Sequence, residues 1–245
     1  MYIQKYFSRI GEMLERLCLE QGENMRRAAQ KVYQTTVDGG MIYFFGATHA
    51  GILAQEAFYR TGGLVNINPI LPTGLTCDVR PITATSQNER VDGRGAQIAD
   101  EYGVKKGDLL FIHSVSGRNA VSVDMAIRAR ELGAYVVAIT SLEYSKASST
   151  RARCGKRLFE AADLVIDNCG VFGDACLEIE GFAGMVSPSS TVTGAAIVNA
   201  IVAESCGIFI ENKKTPPVFV SANVDGGDAI NANTLEEYKN RIIYN

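Results

Sequence analysis

Two stretches of the sequence gather groups capable of polar chemistry. The first, His113-Ser114-Val115-Ser116-Gly117-Arg118-Asn119, sets two hydroxyls two residues apart, next to a glycine, an arginine and an amide. It follows an apolar run and precedes a helical pattern. A helix N-terminus presents exposed N–H groups and the positive end of its dipole, and hydroxyls add donors. The loop therefore suits a phosphate or similar anion, contacted by Ser114, Ser116, Gly117, Arg118 and Asn119. The plainer alternative is that Ser116 or Asn119 only caps the helix. The second stretch, Phe45-Gly46-Ala47-Thr48-His49-Ala50-Gly51, also follows an apolar run. It is no dinucleotide fingerprint, which needs glycine where Thr48 stands, and no Walker A loop, because Gly-Lys-Ser/Thr is absent. Thr48 and the backbone around it are candidates for contact with a small ligand.

The chain has two histidines, His49 and His113, one in each stretch. Imidazole suits proton transfer near neutral pH, although a histidine at the end of a strand can equally serve only to bond backbone. Glu56 lies one helical turn before Arg60. It is either a general base or half of an i,i+4 ion pair. Ser187-Pro188 reads as an N-cap followed by proline at the first helical position, with Ser189 and Ser190 as sugar or phosphate contacts or as further capping groups. Thr140-Ser141, after another apolar run, is a weaker candidate of the same kind. Arg151, Arg153, Lys156 and Arg157 form a basic cluster that is either solvated or helps neutralise an anion. Two histidines exclude a three-histidine metal site within one chain, and no motif implies a metal or nucleotide cofactor, so none is expected.

The elements that must position these groups alternate in type. Residues 1–37 carry Ile3, Phe7, Ile10, Leu14, Leu17, Met25, Ala28 and Val32 at spacings of three or four, apart from a break at Gln21, which predicts one long helix. At roughly 50 Å such a helix overhangs one domain core, so it either packs on its own domain or contacts another subunit. Strands are expected at 41–45, 64–71, 108–112, 134–139 and 162–167. Helices are expected at 51–60, 95–102, 119–132, from 187 to about 206, and at 234–243, with loops at 46–50, 113–117 and 140–155 and an irregular excursion at 72–94. Alternating strands and helices mean βαβ units, hence one α/β domain over 1–245 with a three-layer, doubly wound parallel sheet. Such sheets bind ligands outside the carboxyl ends of their strands, where both loops fall.

Composition agrees. Over 245 residues, 47% hydrophobic and 21% charged leaves ample core and no case for bulk disorder. A net charge of −3 gives no basic footprint for nucleic acid. The six cysteines contain no Cys-x-x-Cys pair, and the spacing of Cys169 and Cys176 is unspecific for redox work. Glu12 and Glu15 stand where a signal peptide would be apolar, and the run at 194–203 is too short to span a bilayer. A cytoplasmic protein with no membrane partner is expected.

The Ser-Val-Ser-Gly-Arg-Asn loop resembles the phosphate-binding motif Ser-x-Ser-Gly-x-Thr/Ser of the SIS (sugar isomerase) domain superfamily, and the Gly46 loop resembles its first motif, Gly-x-Gly-x-Ser. Phe58-Tyr-Arg-Thr-Gly-Gly-Leu64, Ser116-Gly-Arg-Asn-Ala-Val121, Ile139-Thr-Ser141, Gly155-Lys-Arg-Leu158, Ile166-Asp-Asn-Cys-Gly170, Gly173-Asp-Ala175, Pro216-Pro-Val-Phe219 and Asn223-Val-Asp-Gly226 further resemble an uncharacterised bacterial SIS-domain family of similar length. The resemblance implies a flavodoxin-like sheet, a sugar phosphate ligand held by Ser114, Ser116 and Asn119, and a homodimer or higher homo-oligomer. Two departures stand out. Thr48 and Ala50 replace the glycine and serine of the first motif. Helix 193–203 lacks the histidine of the Gln-Glu-x-x-His pattern carried by phosphoheptose isomerases, which the chain resembles more distantly. The expected function is a phosphosugar aldose–ketose isomerase with Glu56 and His49 as its acid and base. The alternatives are a sensor that binds without turnover, and an amino-sugar phosphate lyase or etherase.

Overall fold

The computed structural model describes residues 1–244; Asn245, the last residue of the expected domain, lies outside them. Five short apolar strands, β1 (Ile42–Gly46), β2 (Ile67–Ile70), β3 (Leu109–His113), β4 (Tyr135–Thr140) and β5 (Leu164–Asp167), form one parallel sheet in the order β2-β1-β3-β4-β5. Each central strand sends alternate residues to opposite layers, as the two-residue period of a strand requires. Ile42, Phe44, Leu109, Phe111, Val137 and Ile139 face one layer, where Phe44 stacks on Phe111 at 4.5 Å between ring centroids. Tyr43, Phe45, Leu110, Ile112, Val136 and Ala138 face the other. A sheet buried on both faces explains why these runs are continuously apolar.

The first layer holds α1 (Tyr2–Val37), α2 (Ile52–Ala57) and α8 (Ser190–Glu211). The second holds α4 (Arg94–Glu101), α5 (Ala120–Glu131), α7 (Leu158–Ala161) and α9 (Gly227–Tyr238). Two short helices, α3 (Ala84–Asn88) and α6 (Leu142–Ala147), sit in connections. At 1.5 Å per residue α1 is about 54 Å long. Its buried stripe begins at Ile10 and runs through Met13, Leu17, Ala28, Ala29 and Val32, while Ile3 and Phe7 are 66% and 72% exposed. Helix α8 is 22 residues long and apolar enough to cross a membrane by length and composition alone, longer than its central apolar run suggests. One face of it packs into the first layer, with Ile197, Val198 and Ile201 in the core and Ser205 Oγ within reach of the Ala29 carbonyl, while Ile210 is exposed.

Several expected boundaries move. Ser187 and Pro188 do not open α8. They end β7 (Met185–Pro188), which pairs antiparallel with β6 (Ala175–Glu178) in a hairpin between β5 and α8. The Ser-Pro signature misleads because the cap comes from elsewhere: Asp174 Oδ1 accepts from the N–H groups of Ser189 and Ser190 at 3.1 and 2.8 Å. The polar stretch 140–155 contains α6, and the excursion contains α3. The segment expected as helix 51–60 is a 3-10 turn, Thr48–Gly51, followed by α2, which stops at Ala57. Strand β2 is shorter than expected, and Leu64 pairs instead with Val218 in an isolated bridge. Helix α9 begins earlier than the expected 234, because Asn231 exchanges two 2.9 Å bonds with the Val220 backbone and ties its first turns to the core.

Candidate functional site

In the strand order 2-1-3-4-5 the direction of winding reverses between β1 and β3, and the crevice outside those two carboxyl ends is the expected ligand position. The two strands end side by side, with Gly46 opposite His113. They deliver the two loops singled out by the sequence to one place. These loops are also joined directly: His113 Nδ1 donates to the Ala50 carbonyl at 3.2 Å. His113 itself is fully buried, and its Nε2 has no partner among the described residues. Burial pushes its pKa down, with the Ala50 bond and the charge of Asp174 opposing. It is a neutral brace between the loops rather than a group presented to solvent.

The loop after β3 is held from behind. Ser114 N donates to the Ile139 carbonyl at 3.1 Å, Thr140 Oγ1 and Ser141 N both donate to the Val115 carbonyl, and Leu158 N donates to the Gly117 carbonyl at 2.8 Å. Gly117 is in the left-handed region at φ +59, and a Cβ there would lie 2.8 Å from Ser145 Oγ. Asn119 is the N-cap of α5 but makes no side-chain cap bond. Its Oδ1 accepts from Arg151 Nη1 at 3.1 Å and its amide meets the Glu89 carboxylate, whose pKa burial raises. Arg118 donates to Ser149 Oγ at 2.9 Å. Arg90, Arg118 and Arg151 converge here, and the first two join burial in lowering the pKa of Arg151. Three neighbouring guanidiniums with one carboxylate among them leave an excess of positive charge, which favours an anion.

The serines differ sharply in what they do. Ser141 Oγ accepts from Tyr144 N, capping α6, and donates to the Gly170 carbonyl at 2.6 Å. Ser189 Oγ and Ser190 Oγ both donate to Asp174, at 3.2 and 2.6 Å. Ser114 and Ser116 are partly exposed, and among the described residues their hydroxyls have no hydrogen-bond partner.

The first loop is a close backbone crossing. A Cβ on Gly46 would lie 2.3 Å from the Ala50 carbonyl, and one on Gly51 would lie 2.8 Å from the Gly46 oxygen. Thr48, where the resemblance expects glycine, has φ +56, the left-handed conformation that glycine adopts without strain. Its N–H donates to the Leu75 carbonyl at 2.7 Å. His49 is exposed, with Nδ1 3.7 Å from Cys77 Sγ. Glu56 is ion-paired with Arg60, as the helical spacing suggests, and accepts from Asn199 Nδ2 on α8 at 3.0 Å. Of the basic cluster, Arg151 reaches the phosphate-type loop, whereas Arg157 turns to Glu160.

Asp174, Cys77, Glu89, Arg90 and Asn199 are contributors that spacing alone does not expose. Asp174 sits in a turn of φ +70 that only the hairpin explains, and the excursion carrying Cys77 has no period from which to place it.

An α/β domain with a hydroxyl-bearing, glycine-turned loop at the switch point of its sheet is the architecture of a sugar isomerase domain. The chain belongs to the SIS domain family, whose model matches residues 5–141. It is 45% identical over 243 residues to the UPF0309 protein of Oceanobacillus iheyensis, covering 99% of both chains. Among solved structures it is similar to a phosphoheptose isomerase from Francisella tularensis, with a TM-score of 0.55 and 19% identity over 83% of this chain and 96% of the other. It is also similar to the Vibrio vulnificus NanR protein complexed with ManNAc-6P, with a TM-score of 0.53 and 14% identity over 99% of this chain and 70% of the other.

Proposed function

We propose that the chain binds a sugar phosphate at the 114–119 loop and isomerises it between aldose and ketose forms. The observation that carries the binding reading is the contrast among the serines. At the switch point, Ser114 and Ser116 keep their hydroxyls uncommitted beside the N-terminus of α5 and three arginines, while Ser141, Ser189 and Ser190 spend theirs inside the fold. The names of the structural neighbours, a phosphoheptose isomerase and a ManNAc-6P complex, support a phosphorylated sugar as the ligand class. In this reading Gly117, Arg118 and Asn119 shape the anchor, and Thr48 contacts the ligand from the facing loop. Ser141, Ser189, Ser190 and His113 hold the walls. Of Glu56 and His49, one takes the proton from the sugar carbon and the other delivers a proton to the carbonyl oxygen.

The Glu56–Arg60 ion pair favours a second reading, in which the same site senses the ligand without turnover, because a carboxylate neutralised by a guanidinium is a weaker base. In both readings the protein works in the cytoplasm and as a homo-oligomer; the exposed Ile3 and Phe7 of α1 support the assembly.

One experiment tests both. Purified protein is mixed with hexose 6-phosphates, amino-sugar 6-phosphates and their unphosphorylated sugars in deuterated water. Thermal stabilisation by the phosphorylated set only, with deuterium entering at the second carbon, is expected for the isomerase. Stabilisation without exchange selects the sensor. Replacing both Ser114 and Ser116 by alanine should weaken binding by about 100-fold or more, since each hydrogen bond to a charged group contributes about 1.5–3 kcal/mol. Equal stabilisation by unphosphorylated sugars, or an unchanged affinity in the double variant, would overturn the phosphate anchor.

A further inference from the structure

A cysteine that the proposed sugar chemistry does not use lies beside the first loop, against its exposed histidine. Cys77 is exposed, and its Sγ is 3.7 Å from His49 Nδ1. Cys77 lines an open cleft of about 740 Å³ together with Gln55, Thr73, Thr76, Asp78 and Arg80. The other five cysteines are unlike it. Cys169, Cys176 and Cys206 are buried or half-buried, and burial pushes each of their thiols up, that of Cys169 to about 11. Cys18 and Cys154 are exposed, but the chain has only two imidazoles, one already bonded to Ala50 and the other beside Cys77.

We infer that Cys77 is a thiol-exchange site, with His49 as its proton acceptor and a low-molecular-weight peptide disulfide as its partner. The thiolate, not the thiol, attacks, so a base at hydrogen-bond distance is what separates a reactive cysteine from an exposed one. His49 takes the Cys77 proton as the sulfur attacks one sulfur of the disulfide. The old S–S bond breaks, a new one forms at Cys77, and the departing thiolate takes the proton back from His49. One disulfide is consumed and one is made, with no other oxidant. The Arg80 guanidinium and Asp78 carboxylate on the cleft wall complement the carboxylates and amine of such a peptide. His49 is shared with the proposed sugar chemistry, but thiol exchange is read without any sugar, so failure of one reading is distinguishable from failure of the other.

The test uses the full chain and dithiobis-nitrobenzoate, followed by oxidised glutathione with mass mapping of the modified peptide. One thiol per chain should react about tenfold faster than Cys18 and Cys154, the expected advantage of an activated over a merely exposed cysteine. That phase should vanish in Cys77→Ser. In His49→Gln it should fall to the rate of the two reference thiols, with the circular dichroism spectrum unchanged. Glutathione should map to Cys77 and be released by dithiothreitol. Reaction of Cys77 at the rate of Cys18 and Cys154, or a fast phase unaffected by His49→Gln, would overturn the proposal. A loss of the fast phase in His49→Gln accompanied by unfolding is resolved with His49→Asn, which must also slow the reaction for the inference to stand.

Discussion

Thr48 is a β-branched residue held at φ +56, a conformation that costs an L-residue roughly 1–2 kcal/mol. Thr48→Gly should therefore stabilise the fold by up to about 1 kcal/mol after the greater unfolded-state freedom of glycine is subtracted, measured by urea unfolding. Gly46→Ala should do the reverse by about 3 kcal/mol, since its Cβ would lie 2.3 Å from the Ala50 carbonyl. The buried His113 makes a pH-dependent contribution. Its folded pKa is depressed by burial, so below about pH 6.5, the ordinary imidazole value, the unfolded chain takes up a proton that the folded chain resists. The unfolded state then binds more protons, and stability must fall as pH falls through that range, by at most about 1.4 kcal/mol per pH unit. Urea midpoints at pH 7.5 and 5.5, compared with those of His113→Asn, isolate this loss, which the variant should not show. At this scale the sequence made the serine loop, the Glu56–Arg60 pair and the two histidines readable from spacing. It did not separate an exposed histidine from a buried one, because burial is decided by what packs over a strand end.

Helix α8 shows how an element can be legible and its boundary not. Its apolar body is plain in the sequence, but its N-terminus is capped across a hairpin by Asp174 rather than by the residue before it. An anionic side chain at a helix N-terminus contributes up to about 2 kcal/mol in partly buried geometry. Asp174→Asn, which keeps the turn-forming side chain, should cost about 1 kcal/mol in chemical denaturation, and Asp174→Ala more. The central strands β1, β3 and β4 were legible because a central parallel strand is apolar on both faces. The β6–β7 hairpin was not, since its strands are half-exposed and end in a Ser-Pro pair that imitates a helix start. The short α3 and α6 fall below the length at which a period can be read.

Over the whole molecule, the first two turns of α1 carry apolar side chains beyond the core, at Ile3 and Phe7. If a second copy covers them, the purified chain sediments as a dimer or larger, and Ile3→Glu with Phe7→Glu shifts it to monomer while leaving helix content unchanged. A wild-type monomer would remove the support that α1 gives to assembly. The close crossing between Gly46 and Ala50 has a different kind of consequence, for the way such a site changes over generations. Backbone already fills the space that any side chain at Gly46 would need, and the loop after β3 is pinned by hydrogen bonds to its own and neighbouring backbone carbonyls and by a glycine turn. Neither loop leaves room for gradual exploration. The excursion after β2 does: Thr73, Cys77, Asp78 and Arg80 face the cleft from exposed positions with little core to disturb. Side-chain replacements in that segment should therefore be tolerated far better than replacements at Gly46 or Gly117.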